Sequence, residues 1–124
     1  MGIKSTNLSW IVVSDIHKAK EFYLNTLGLI LEEENLKYGW LEFRAKDSSY
    51  RLGIAKENKE SNEIAGCNAI MTFNVDNIET EVERLKKEGV VFIDSIVEVP
   101  SGRIKMISFI DLDKNKFQLC QKLK

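Results

Sequence analysis

The chain has 124 residues, with 18 basic side chains against 19 acidic ones, which is enough for one sizeable core and leaves no basic surface to attract nucleic acid. No apolar run approaches the ~20 residues of a membrane span, and no apolar stretch follows Met1-Gly2-Ile3-Lys4, so neither a membrane partner nor a signal peptide is expected. The two cysteines, Cys67 and Cys120, follow no metal or redox spacing and read as reduced thiols of a cytoplasmic protein.

Leu8 to Val13 (LSWIVV) is a short apolar, β-branched run and reads as a buried strand. Ser14 or Asp15 can cap the helix that follows, because either side chain can accept from the free N–H groups of a first turn. Ile16, Ala19, Phe22, Tyr23 and Leu27 recur at helical spacing as its buried stripe, while His17, Lys18, Lys20 and Glu21 face water. Gly28 supplies the left-handed residue that ends it. Leu29 to Glu33, Tyr38 to Arg44 and Tyr50 to Ala55 read as three more strands. They are separated by turns at Asn35 to Lys37 and Lys46 to Ser49. Residues 57–66 are polar and without periodicity, and read as a linker.

The order then repeats. Asn68 to Val75 is a strand ending at Asp76-Asn77, and Ile78 to Lys87 is a helix with stripe Ile78, Val82 and Leu85, closed by Gly89. Val91 to Val99 is a strand interrupted near Asp94-Ser95. Pro100-Ser101-Gly102 turns into Ile104 to Ile110, and Asp111 to Asn115 turns into a last strand, Phe117 to Gln121. Ile11 to Leu29 and Phe73 to Val90 are thus two copies of one strand–helix unit. The fold class expected is α+β: two βαβββ modules, residues 6–56 and 67–122, pairing into a cupped mixed sheet as a single domain over residues 1–124.

Strand alternation assigns side chains to the cup. Leu41 and Phe43 form the apolar face that a helix covers, which leaves Trp40, Glu42 and Arg44 on the other. The same parity gives Leu8 and Trp10; Arg51 and Gly53; Ile70 and Thr72; and Gln118. Pairing of Phe109 with Phe117 adds Met106 and Ser108. An apolar-aromatic cup with a few polar groups is the composition of a small-molecule pocket. Bland readings stand beside it. The tryptophans can simply fill the cup, Arg44 and Arg51 can end strands in solvent or pair with Glu42, and Glu42 with Arg44 can be a structural ion pair. Glu42 is the one candidate catalytic group, and a general-base role would need its pKa raised by an apolar cup. Cys120 reads as an inert buried thiol.

The order βαβββ-βαβββ, Asp15 followed by FYLNTLGL, and SFIDLDKNKFQL near the end resemble the glyoxalase / bleomycin-resistance / extradiol-dioxygenase (vicinal oxygen chelate) superfamily over essentially the whole chain. The second motif departs from the family's Asp-Pro-x-Gly-Asn, since Asp111-Leu112-Asp113-Lys114-Asn115 lacks the Pro and Gly. The resemblance implies a divalent metal held by four cup-facing side chains, and their positions fall here on Leu8, Gly53, Ile70 and Gln118. Three of these offer no donor and the fourth a neutral amide, so no metal and no cofactor are expected. The expectation is a metal-free protein binding an amphipathic or aromatic small molecule, as a homodimer because the strand edges are bare. The alternatives are a glyoxalase-like lyase or isomerase, or a dioxygenase-related enzyme, using a non-standard site such as Glu42 with Arg51, and a dimerisation scaffold.

Overall fold

A computed structural model describes residues 8–61, 63–68, 70–99 and 103–123 and divides the chain into two compact units between Cys67 and Asn68. The first unit runs β1 (Leu8–Val13), α1 (Ile16–Glu21), a π-turn (Phe22–Thr26), β2 (Ile30–Asn35), β3 (Trp40–Arg44), β4 (Arg51–Lys56) and a short 3-10 turn (Lys59–Ser61). The second runs β5 (Met71–Asn74), α2 (Ile78–Lys87), β6 (Val91–Phe92), β7 (Val97–Val99), β8 (Ile104–Ile110) and β9 (Lys116–Lys122). The sheet order is β1-β4-β3-β2 in one unit and β5-β9-β8-β6 in the other, with β7 also on β8. In each unit the first strand pairs in parallel with the last, and the rest is antiparallel. The duplication expected from the sequence is therefore a duplication of topology.

Caps fall where the residue chemistry places them. Asp15 accepts from the N–H groups of His17 and Lys18, and Asn77 from that of Thr80. Gly28 and Gly89 close their helices at φ +72° and +88°. The first helix differs from expectation past Glu21, where bonding widens and the N–H of Leu27 reaches the carbonyl of Phe22 at 2.9 Å. Consecutive residues sit about 100° apart on an α-helix. Here Phe22 and Tyr23 both turn inward, with rings edge-to-face at 5.2 Å, and Leu27 is left only half-buried.

Other boundaries move for local reasons. Tyr38 and Gly39 leave β3 because the side chain of Asn35 and the carbonyl of Leu36 bind their N–H groups in a turn, with Gly39 at φ +68°. Asn68 leaves β5, and its side-chain amide brackets Lys116 instead, donating to the carbonyl and accepting from the N–H, both at 2.9 Å. The strand expected over 91–99 splits in two, and Asp94 Oδ1 accepts from the N–H of Ser108 at 2.7 Å across the gap. Described residues of the linker also bond to one another: Asn58 and Glu63 form an antiparallel bridge, and Glu57 accepts from the N–H of Ala65 at 2.9 Å. The turn at Pro100 to Gly102 and residue Ala69 lie outside the described residues.

Each sheet buries one face under its helix. Ile11, Val13, Leu41, Phe43, Leu52 and Ile54 meet Ile16, Ala19, Phe22 and Tyr23 in the first unit. Ile107, Phe109, Phe117 and Leu119, with Ile78, Val82 and Leu85, form the core of the second. No helix among the described residues is long and apolar enough to cross a membrane.

Candidate functional site

The opposite face of the first sheet carries seven of the expected site residues in three rows set by strand register. Leu8, Arg51 and Arg44 lie opposite one another, Trp10, Gly53 and Glu42 form the next row, and Ala55 and Trp40 the third. Glu42, Gly53 and Ala55 are buried on this face, with the Trp40 ring lying over Gly53 and its N–H bonded to Glu42. The rings of Trp10 and Trp40 meet edge-on at 6.1 Å, and Trp10 keeps 46 % of its surface exposed.

Glu42 is the polar centre of this face. Its Oε2 accepts from the indole Nε1 of Trp40 at 2.8 Å, and its Oε1 from the guanidinium of Arg51 at 2.9 Å. The Arg51 guanidinium holds the Glu42 carboxyl below its usual range against the opposing effect of burial, and the Trp40 N–H adds to the lowering. Two points that the sequence left open are decided here. The apolar surroundings do not raise this pKa, because both oxygens accept hydrogen bonds in the ionised form. The ion pair on the face joins Glu42 to Arg51. Arg44 turns to Glu32, the extra residue of a bulge in β2, and to the carbonyls of Ala45 and Lys46.

A depressed carboxyl stabilises the fold above its unfolded value and loses that contribution as pH falls through the folded one. The stability of the protein is therefore expected to drop on acidification below the ordinary glutamate value of 4.5, and Glu42→Gln to flatten that slope in pH-dependent urea unfolding.

A cavity of about 600 Å³ opens at the Trp40 end of this face. Trp10, Trp40 and Ala55 form one wall, Tyr38 and Gly39 the turn before β3 another, and Lys56 to Glu60 with Glu63 the rim. The sequence reading missed Tyr38 and the linker residues. The linker's length, beyond the usual 2–6 residues of a connection, was the available signal.

The remaining expected residues belong to the second sheet. Ser108 and Gln118 are directly opposed, as are Met106 and Cys120, and Thr72 pairs with Gln118 across β5 and β9. The Thr72 hydroxyl donates to the Gln118 side-chain carbonyl at 3.3 Å, and Ser108 is almost wholly buried. Ile70, expected inside a strand, stands one residue before β5 and is half exposed. Among the described residues no three of His, Cys, Asp and Glu gather as a metal site would need.

The Glyoxalase/Bleomycin resistance protein/Dioxygenase superfamily model matches residues 2–119. The chain belongs to this superfamily. Among solved structures, a glyoxalase/bleomycin resistance/dioxygenase superfamily member from Sphaerobacter thermophilus superposes with a TM-score of 0.83 at 21% identity, over 98% of this chain and 100% of that one. TnmS3, an antibiotic binding protein from Streptomyces sp. CB03234, gives 0.76 at 28% identity, with 98% of each chain covered. A glyoxalase/bleomycin resistance protein from the same Streptomyces gives 0.74 at 26%, over 93% of this chain and 98% of that one. No curated protein sequence matches the chain. The superfamily is thus shown by the match over nearly the whole length, and the α+β fold by its structural relatives.

Proposed function

We propose that this superfamily member is a small-molecule-binding protein that holds an amphipathic or aromatic ligand against the Trp10–Trp40 face and in the cavity beside it, without a catalytic metal. The observation that carries this reading is at Gly53. The resemblance assigns that position to a metal-ligating side chain, and here the Trp40 indole lies over it instead. Of the other three positions, Leu8 and Ile70 have no donor atom, and Gln118 presents a neutral amide already engaged by Thr72. A divalent ion does not fit this set. A cavity of about 600 Å³ lies within the range of small-molecule sites, with the rings of Trp10, Tyr38 and Trp40 as its apolar part and a charged rim from Lys56 to Glu60 and Glu63 to orient a polar end. The antibiotic-binding relative at 28% identity supports the same class of function.

A lyase reading through Glu42 is weaker, because a general base works best with its pKa near the working pH and Arg51 pushes this one the other way. The test is quenching of intrinsic tryptophan fluorescence across a panel of aromatic drugs and dyes, with melting curves in zinc, nickel and manganese. Saturable quenching by part of the panel and an unchanged Tm with metal are expected. A Tm rise of several degrees saturating at one ion per chain, or silence across the panel, would overturn the reading.

The same reading makes the chain one binding domain that works as a cytoplasmic homodimer. β2 is an edge strand blunted by Glu32, Glu33 and Glu34, whereas β1, the other edge of its sheet, carries no charge or proline. In the second sheet Val91, Ile93 and Val97 along the β6–β7 edge are each about half exposed. A twofold contact covering such edges should bury about 1,600 Å² or more in total. Light scattering at low micromolar concentration should give twice the chain mass, and a monomer mass would refute it.

A further inference from the structure

The two tryptophans are not equivalent. Trp10 is about half exposed, whereas Trp40 is held from two sides. A Cβ built on Gly53 would stand 2.5 Å from Cη2 and 2.8 Å from Cζ2 of Trp40, and 2.8 Å from the Cβ of Trp10, so only a bare backbone admits the ring there. From the other side the indole N–H is tied to Glu42, and Glu42 to Arg51. An indole offers a single donor. Its bond to a buried carboxylate is charge-assisted and fixes the direction in which the ring lies.

We propose that Glu42, braced by Arg51, is the positioning residue of the binding face: it pins the Trp40 ring across Gly53, and the pinned ring is the wall that gives the neighbouring cavity its selectivity for flat ligands. This rests on the binding reading above and adds the residues that set its shape. The physical ground is that the bare backbone at Gly53 leaves room for the ring without dictating its angle. The hydrogen bond then chooses among the allowed side-chain torsions. A preset ring costs a ligand less ordering on arrival than a mobile one. Glu42 touches the ring and needs no contact with the ligand, so its effect would pass entirely through Trp40.

The chain has two tryptophans, so Trp10→Phe leaves Trp40 as the sole indole reporter. In that background, acrylamide quenching and near-ultraviolet circular dichroism of the free protein should show Trp40 loosened by Glu42→Ala. Glu42→Gln keeps the shape and one acceptor and should lie between the two. Gly53→Ala should shift the same signals with Glu42 intact. With both tryptophans present, Glu42→Ala should weaken binding of the planar dye proflavine about fivefold, the population shift that one net hydrogen bond produces, and change that of the twisted dye anilinonaphthalene sulfonate less. A purely structural role would lower the Tm and leave the Trp40 spectrum of the folded variant unchanged, and that result overturns the proposal. Should Glu42→Ala fail to fold, Arg51→Met and Glu42→Gln carry the same test. Dye affinity unchanged while Trp40 loosens refutes the selectivity. Wild-type protein that binds neither dye refutes the selectivity for flat ligands, whereas silence across the whole panel refutes the binding reading, and the Trp40 spectra decide the pinning on their own.

Discussion

Phe117→Ala is expected to cost about 3–5 kcal/mol of stability, the range for emptying a buried aromatic site. Phe117 is fully buried on β9, the strand that joins β5 to β8. Its ring stacks on Phe73 at 5.6 Å on one side and on Phe109 at 5.5 Å on the other. Removing it unstacks two neighbours at once and leaves a void among side chains that no local hinge can collapse. Against a total of about 5–15 kcal/mol for a domain, this is a large fraction of the whole. Phe117→Leu keeps most of the volume and should cost under about 1.5 kcal/mol. Urea unfolding decides the matter: a midpoint lowered at constant slope is expected. A change under about 1 kcal/mol would mean that the second core closes over the gap.

That this phenylalanine sits at the centre of a core was legible from alternation alone. Phe117 and Leu119 share a parity, Phe109 meets Phe117 in register, and the helix stripe of Ile78, Val82 and Leu85 supplies the cover. Period-two and period-3.6 patterns report burial because a buried face must be apolar throughout, so they survive without knowledge of neighbours. Pairwise choices on the polar face do not. Register sets Arg44 against Arg51 and Glu42 against Gly53, so Arg44 stands two residues from Glu42 along β3 and Arg51 stands diagonal to it on β4, and parity leaves both within reach. What decides between them is the bulge that brings Glu32 to Arg44, and a one-residue bulge leaves no mark in a charged run such as Glu32-Glu33-Glu34. Trp40 lying across Gly53 was hidden for a related reason. Parity places both on one face, but the ring's direction depends on a hydrogen bond between residues two apart on one strand. The linker read as featureless because its order comes from Glu57 reaching the N–H of Ala65, a contact that hydropathy does not encode.

The turn between β8 and β9 yields a pair of expectations with opposite signs. Asp111 is buried, and its Oδ1 accepts from the N–H groups of Asp113 at 3.0 Å and Asn115 at 2.8 Å. Its Oδ2 accepts from the amide of the fully buried Asn115 at 2.9 Å. Asp111→Ala removes all three of these bonds, and a hydrogen bond to a charged group contributes about 1.5–3 kcal/mol. A loss of about 3 kcal/mol or more is expected, with Asp111→Asn recovering part of it. Lys114 pulls the other way. It stands where the related motif has glycine, and its backbone is left-handed at φ +67°. That conformation costs a side-chain-bearing residue about 1–2 kcal/mol, while glycine's freer unfolded chain returns about 0.5–1 kcal/mol of the relief. Lys114→Gly should therefore stabilise the protein by about 0.5 kcal/mol. Urea midpoints of the two variants and of their combination separate the effects. If Lys114→Gly lowers stability, the strain at that residue is smaller than the entropy glycine adds, and the loss of the motif's glycine in this chain would have cost the fold nothing.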